Sequence, residues 1–263
     1  MIFKVSRSSY YHFLNLTKKA LKDRKDAKVI KEIHEKSPEY GYRRIAIAAD
    51  FSENKTYRLM KKLNIKSKIR KRKYYRYPAA KKNIGIVSGN LVKREFKALK
   101  PLTQLHCDIT QINTKSGQTS YVCGIIDVFN NEIVGYNISR KCDTKLVINA
   151  IQAMKDLHYF KDKQKIIIHT DQGTQFKSSM WHEKLNEHKI IPSMSPKGSP
   201  VDNSPIESFF STLKAEYLFL IDPKTAKELK STLRDWIKYY NNERIVNKLK
   251  SSPISFRKNK VLQ

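Results

Sequence analysis

The stretch Lys165-Ile166-Ile167-Ile168-His169 limits the fold more than any other part of the chain. It is too short for a helix, and three successive isoleucines read as a strand buried on both faces. Such a strand needs cover above and below the sheet. The segment before it supplies some: residues 144–158 place Leu146, Val147, Ala150, Ile151, Met154 and Leu157 at helical spacing. A further helix and a strand over residues 190–194 are expected after it. Upstream, residues 105–112, 119–129 and 132–139 read as strands. Gly117 and Asn130-Asn131 mark the turns, so these three form an antiparallel meander. Downstream, a loop over 195–204, rich in Pro, Gly and Ser, leads into a long helix with Pro205 in its first turn. A last helix is expected over 225–240. This order predicts an α/β fold with a mixed central sheet.

The first hundred residues follow another pattern. They carry 29 Lys/Arg against 8 Asp/Glu, most of the net charge of +29. Short helices are expected over 7–16, with Ser6 as N-cap, over 23–36, over 42–50 and over 55–63. Short basic helices with short connections point to a helix-turn-helix type of DNA-binding region; a solvated bundle is the alternative. Residues 66–82 hold nine basic residues and three tyrosines without an amphipathic period. They read as a basic linker able to follow a phosphate backbone, with Arg70, Lys71, Arg72 and Lys73 at its centre. The boundaries are then 1–65 for the helical region, 66–98 for the linker and 99–258 for the α/β core. A polyanionic partner is the simplest reason to gather such charge, because Lys and Arg on phosphates release counterions. The three cysteines show neither a disulfide framework nor zinc-ligand spacing, and no segment has the length of a membrane span. A cytoplasmic, nucleoid-associated protein is expected.

Three acidic residues stand at element ends. Asp108 interrupts the first strand, Asp171 follows the Ile166-Ile167-Ile168 strand, and Glu207 lies in the first turn of the long helix. An aspartate at a buried strand is costly unless it is paired, hydrogen-bonded or on a metal. Hard oxygen ligands from separate elements suit Mg²⁺, with Mn²⁺ as a substitute, and an ion pair about 4 Å apart serves phosphoryl transfer. Each residue also has a plainer use. Asp108 could pair with a lysine, Asp171 could close a turn, and Glu207 could meet the helix dipole. Asp127, also near a strand end, is assigned a structural role.

From Pro101 onward the sequence resembles the transposases of bacterial insertion sequences, second-frame type, within the retroviral-integrase superfamily. The resemblance is carried by Asp108-Ile109-Thr110, Ile126-Asp127-Val128-Phe129, His169-Thr170-Asp171-Gln172-Gly173-Thr174-Gln175-Phe176 and Ser193-Met194-Ser195-Pro196-Lys197-Gly198. It continues through Asp202-Asn203-Ser204, Glu207-Ser208-Phe209-Phe210, Tyr239-Tyr240-Asn241-Asn242-Glu243-Arg244 and Ser252-Pro253, with 35 residues between Asp171 and Glu207. Tyr40-Gly41-Tyr42-Arg43-Arg44-Ile45 extends it into the basic region. Leu105 stands where the family usually has Trp, and Cys107 where it usually has Thr.

The resemblance implies a ribonuclease-H-like core and Asp108, Asp171 and Glu207 as its metal-binding catalytic carboxylates. It implies DNA strand cleavage and strand transfer at element ends, without ATP. The implied partners are double-stranded DNA (transposon ends and target), further copies of the chain, and an upstream-frame partner or fusion. Lys214, seven residues after Glu207, is implied to contact the transposon end, and Arg43 and Arg44 are further DNA-contact candidates. A DNA-binding protein without chemistry and a nuclease acting on RNA–DNA hybrids are the rival classes. The intact carboxylates speak against the first, and the motif series against the second.

Overall fold

The computed structural model describes residues 6–69, 85–93, 95–156, 165–196 and 200–261. Arg70, Lys71, Arg72 and Lys73 lie outside the described residues, as do the linker tyrosines and Lys197-Gly198. The chain divides into two compact units: residues 1–69 with 245–250, and residues 70–244 with 251–263.

The smaller unit holds three helices, α1 (Arg7–Lys36), α2 (Tyr42–Ala49) and α3 (Glu53–Lys62). One helix runs where two were expected. Residues 17–22 contain neither Gly nor Pro, and Thr17 returns its hydroxyl to the Phe13 carbonyl within the helix. Nothing there stops propagation. The Ser6 side chain accepts from the Ser9 amide, as an N-cap should. Three residues join α2 to α3, with Asp50 left-handed at φ 52° and Ser52 capping α3. Ile30, Tyr40, Ile45, Leu59 and Met60 form the core, joined by Ile245 from the returning segment. Arg58 makes a two-pronged bond to Asp23 at 2.7 and 2.8 Å, which ties α3 to α1.

The larger unit is built on five strands: β1 (Gln104–Asn113), β2 (Thr119–Asp127), β3 (Ile133–Ser139), β4 (Ile166–Thr170) and β5 (Ile190–Met194). Their spatial order is β3-β2-β1-β4-β5. The first three pair antiparallel, while β4 joins β1, and β5 joins β4, in parallel. Helices α4 (Thr144–Lys155) and α5 (Ser179–Glu187) cover one face, where Leu105, Cys107, Ile125 and Ile168 meet Ile151, Met154 and Trp181. The other face carries α6 (Ser204–Thr212) and α8 (Ala226–Asn242), where Ile112, Val122 and Ile126 meet Ile206, Phe209, Phe210 and Trp236. This is the ribonuclease-H-like arrangement. Alternation along β1 decides which face a residue serves: Leu105 and Cys107 join the α4 side, while Ile112 joins the α6 side.

Three features depart from the sequence reading. Residues 86–91, inside the expected linker, pack along β5: the Ser88 amide reaches the Met194 sulfur at 3.5 Å, and the Leu91 amide donates to Ser193 Oγ at 2.9 Å. The long helix does not stay regular. A π turn (Leu213–Leu218) follows α6 and runs into a short α7 (Phe219–Ile221). A further helix, α9 (Pro253–Val261), follows Ser252, whose hydroxyl accepts from the Ser255 amide. The pair Ser252-Pro253 is the signal that announces it, a cap followed by a first-turn proline.

Asp127 has the structural role assigned to it. Its carboxylate accepts from the Leu102 amide at 2.8 Å and the Phe129 amide at 3.0 Å, closing the entry to β1 and the turn after β2.

Gly135 on β3 is a point of close sheet–helix approach. A Cβ there would lie 2.5 Å from the Ala150 carbonyl oxygen and 3.0 Å from Met154 Cβ on α4. Backbone cannot yield as a side-chain tip can, so Gly135→Ala should cost about 1–3 kcal/mol of stability. Denaturant unfolding checks this; an unchanged midpoint would mean that α4 does not press on β3 there.

Candidate active site

Asp108 sits at the middle of β1, opposite Gly124 of β2. That glycine lets α6 lie close: a Cβ on it would come within 3.2 Å of the Phe210 ring and 3.3 Å of Ile206, so these side chains would have to shift. The helix therefore lies close over the sheet beside Asp108. Asp171 follows β4, the parallel neighbour of β1. Asp108 and Asp171 line one cavity of about 230 Å³, together with Ile109, Gln111, Tyr121, Cys142, Gly173, Gln175 and Phe176. Glu207, exposed in the first turn of α6, does not line it.

Electrostatics links all three carboxylates. Asp108 is pushed up to about 7, first by burial, then by the Asp171 charge, with Glu207 adding to the effect. Asp171 is raised by burial, against the pull of the Gly173 amide that its Oδ1 accepts at 2.9 Å. It thus closes a turn and lines the cavity at once. Glu207 is raised by partial enclosure of its carboxyl and by Asp171. Among the described residues, none of the three has a salt-bridge partner. Lys214, half-buried in the π turn, acts on Asp108 through its charge and lowers its pKa. Among the described residues no three His, Cys, Asp or Glu side chains are grouped tightly enough to hold an ion as they stand. The oxygen donors nevertheless fit a hard cation, because mutually repelling carboxylates without a salt-bridge partner are what such an ion relieves.

Behind the carboxylates lies a buried polar network whose members the sequence motifs contained without revealing their work. His106 Nδ1 meets Asn203 Oδ1 at 2.9 Å, and its Nε2 meets Gln104 Nε2 at 3.3 Å. Gln104 Nε2 can only donate, so His106 Nε2 accepts and its Nδ1 carries the proton. Asn203 Nδ2 donates to the Cys107 carbonyl at 3.1 Å. His169 lies between Ser193 Oγ at 2.9 Å and Ser195 Oγ at 2.8 Å, and Gln172 Nε2 donates to the Ser195 carbonyl at 3.0 Å. Burial, then the neighbouring His169, brings His106 down to about 4, so it is neutral at neutral pH. The signal available in sequence was polarity inside strands, His106 and His169, which need partners when buried.

The other expected contact residues lie in the smaller unit. Arg43 is exposed, 3.6 Å from Glu53 and with its guanidinium 5.6 Å from the Tyr42 ring centre. Arg44 is half-buried, its guanidinium 5.2 Å from the Tyr40 ring centre. Arg43 presents its charge to solvent, while Arg44 is partly spent on packing.

Residues 98–200 match the family model described as Integrase core domain, residues 207–261 match a second model of that description, and residues 20–73 match an HTH-like domain. The chain is 34% identical over 262 residues to the putative transposase InsK for insertion sequence element IS150 of Escherichia coli K12, covering 97% of this chain and 90% of that protein. It is 35% identical over 204 residues to the transposase for insertion sequence element IS904 of Lactococcus lactis, covering 76% and 78%. The intasome of simian T-cell lymphotropic virus, solved by cryo-electron microscopy in complex with PP2A regulatory subunit B56 gamma, aligns with a TM-score of 0.52 at 13% identity. That alignment covers 88% of this chain and 74% of that one, and it shows the fold alone.

The raised Asp108 carboxyl has a consequence for stability. A group whose folded pKa lies above its unfolded value favours folding most at low pH. That contribution fades as pH rises from about 4 through about 7. The metal-free protein with Asp108→Asn should therefore equal the parent below about pH 4 and exceed it by about 2–4 kcal/mol at pH 8. Thermal unfolding in chelator at the two pH values measures the difference, and a gap independent of pH would show that the Asp108 carboxyl is not raised by its surroundings. Added Mg²⁺ should stabilise the parent at pH 8 and leave the Asn variant nearly unmoved.

Proposed function

The chain belongs to the insertion-sequence transposases, and from that premise we propose that it cuts and rejoins DNA strands at the ends of its element through Asp108, Asp171 and Glu207. The observation that carries this reading is the shared cavity of Asp108 and Asp171, with Glu207 acting on Asp108, and Asp171 on Glu207, by charge. These carboxylates would hold Mg²⁺, or Mn²⁺ in its place, and the ions would supply activation of the attacking oxygen and stabilisation of the leaving one. The chain's own part would be to present oxygen ligands from three different elements, none of them held in a salt bridge among the described residues. Asp171 has its Oδ1 held by the Gly173 amide and lines the cavity.

Lys214 stands beside Asp108 in charge. It would hold a phosphate next to the scissile bond while leaving the carboxylates free for the metal. The basic helical unit would hold double-stranded DNA further along. Arg43 would contact phosphates, with Arg44 in part, and Arg70, Lys71, Arg72 and Lys73 would follow the backbone. An element has two ends and each chain offers one such site, so at least two copies would work together on DNA. Among the described residues no helix is long and apolar enough to cross a membrane. Action in the cytoplasm, at the nucleoid, accords with DNA as the substrate.

Asp108→Asn, Asp171→Asn and Glu207→Gln should each lower strand cleavage at least about 100-fold, near 3 kcal/mol of transition-state stabilisation, while binding to end DNA persists. A gel assay with labelled element ends and Mg²⁺ reads both. Near-parental cleavage by any one of them removes that residue from the site. Joined strands favour the transposase reading, whereas degradation confined to RNA–DNA hybrids would favour the nuclease.

Lys214→Ala should weaken end-DNA binding and reduce cleavage with little change in melting temperature. Lys214→Arg, which keeps the charge, should retain much of both. If the alanine variant binds and cuts like the parent, the phosphate contact does not exist.

A further inference from the structure

Asn203 occupies the N-cap position of α6 but does not cap it. Its backbone is at φ −113° and ψ 20°, and its side chain makes no bond to the helix it begins. Asparagine is among the best N-caps because its side-chain oxygen can satisfy a free amide of the first turn, an interaction of about 1 kcal/mol. Here that is forgone. The side chain is buried and turned to β1, where Nδ2 donates to the Cys107 carbonyl at 3.1 Å and Oδ1 accepts from His106 Nδ1 at 2.9 Å. Cys107 is the residue before Asp108, and Glu207 lies in the first turn that Asn203 opens. One amide group therefore joins the backbone beside the first carboxylate to the helix start that carries the third.

We propose that Asn203, with its donor fixed by His106, is a positioning residue that sets the separation of Asp108 and Glu207 for the metal. The inference rests on the carboxylate reading above. His106 serves it by tautomer: Gln104 holds Nε2 as acceptor, so Nδ1–H points at Asn203 Oδ1. The amide of Asn203 is then oriented without ambiguity, its NH₂ toward the Cys107 carbonyl. Asp202 next to it accepts from Asn90 Nδ2 at 3.0 Å, which fixes the approach to α6 from a second side. Departures from a local rule gather at functional sites, and an N-cap residue used as a cross-brace is such a departure.

Groups that orient metal ligands typically change metal affinity or activity 10–100-fold when removed. In the full chain, Asn203→Ala should weaken Mn²⁺ binding about 10-fold in titration calorimetry without DNA. It should also raise the Mg²⁺ concentration for half-maximal cleavage, since Mg²⁺ demands near-ideal octahedral geometry. End-DNA affinity and the circular-dichroism spectrum should stay parental. An Asn203→Ala protein that binds Mn²⁺ and uses Mg²⁺ like the parent overturns the proposal. Should that variant not fold, His106 decides. His106→Gln keeps an amide donor for Asn203 and should stay near the parent, while His106→Leu should show the weakened metal response. Equal behaviour of the two overturns the brace. The control is Asp108→Asn: if it too binds Mn²⁺ and cleaves normally, the carboxylate reading falls and takes the brace with it. An unchanged Asn203→Ala beside a dead Asp108→Asn removes only the brace.

Discussion

Two like charges held in one cavity set the terms for the larger unit. Asp108 is half-buried and Asp171 exposed as a residue, yet both carboxyls are held partly out of water against one cavity, and among the described residues no ion pair relieves them. A fold can sustain such a site only if the surrounding structure is rigid enough to refuse the movements that would let the carboxylates part. The sheet provides that rigidity. Both aspartates sit on, or directly after, adjacent parallel strands, and both faces of the sheet are covered by packed helices.

Rigidity of the strands does not place Glu207, because it belongs to a helix. Two features of the sheet surface bring that helix in. Gly124 removes the side chain that would hold α6 away from β1 and β2, and Asn203 fastens the helix start to the Cys107 carbonyl. The first permits close approach and the second fixes it. On the opposite end, Asn241 of α8 bonds both the amide and the carbonyl of Ile133 at 2.9 Å, so that side chain serves as an extra strand partner for β3. Arg244 then grips Glu216 of the π turn through two 2.9 Å bonds, both residues buried.

Much of this was legible in the sequence, and the reason is local. Strand alternation, helical spacing and turn residues report on neighbours along the chain, and the five strands and α4 to α6 fall where those signals put them. The expectation failed where the deciding interaction was absent from the pattern or lay far away in sequence. Two short helices were expected where α1 is continuous, because charge and scattered tyrosines obscured that nothing interrupts residues 17–22. The packing of residues 86–91 on β5 depends on partners about a hundred positions away, Met194 and Ser193. At the candidate site, the proposed carboxylates Asp108, Asp171 and Glu207 are suggested by order and spacing together with the family resemblance. The work of His106 and Asn203 is not, since a buried histidine announces only that it needs a partner, not which one.

The π turn shows the same limit at its most consequential point. In an uninterrupted α-helix, Lys214 would lie seven residues and nearly two full turns beyond Glu207, stacked on the same face. The π turn begins at Leu213, so Lys214 falls inside the widened segment instead. Its charge registers at Asp108, whereas the environment of Glu207 is set by enclosure and by Asp171. The Glu216–Arg244 pair, buried within the same segment, holds a geometry that backbone preference alone would abandon, since π turns are rare in helices. A substitution that relaxed this turn into a regular helix would move a cation along the wall of the site without touching any carboxylate. Arg244, thirty residues further along the chain, thus bears on where Lys214 stands relative to the proposed carboxylates, alongside the spacing between Glu207 and Lys214.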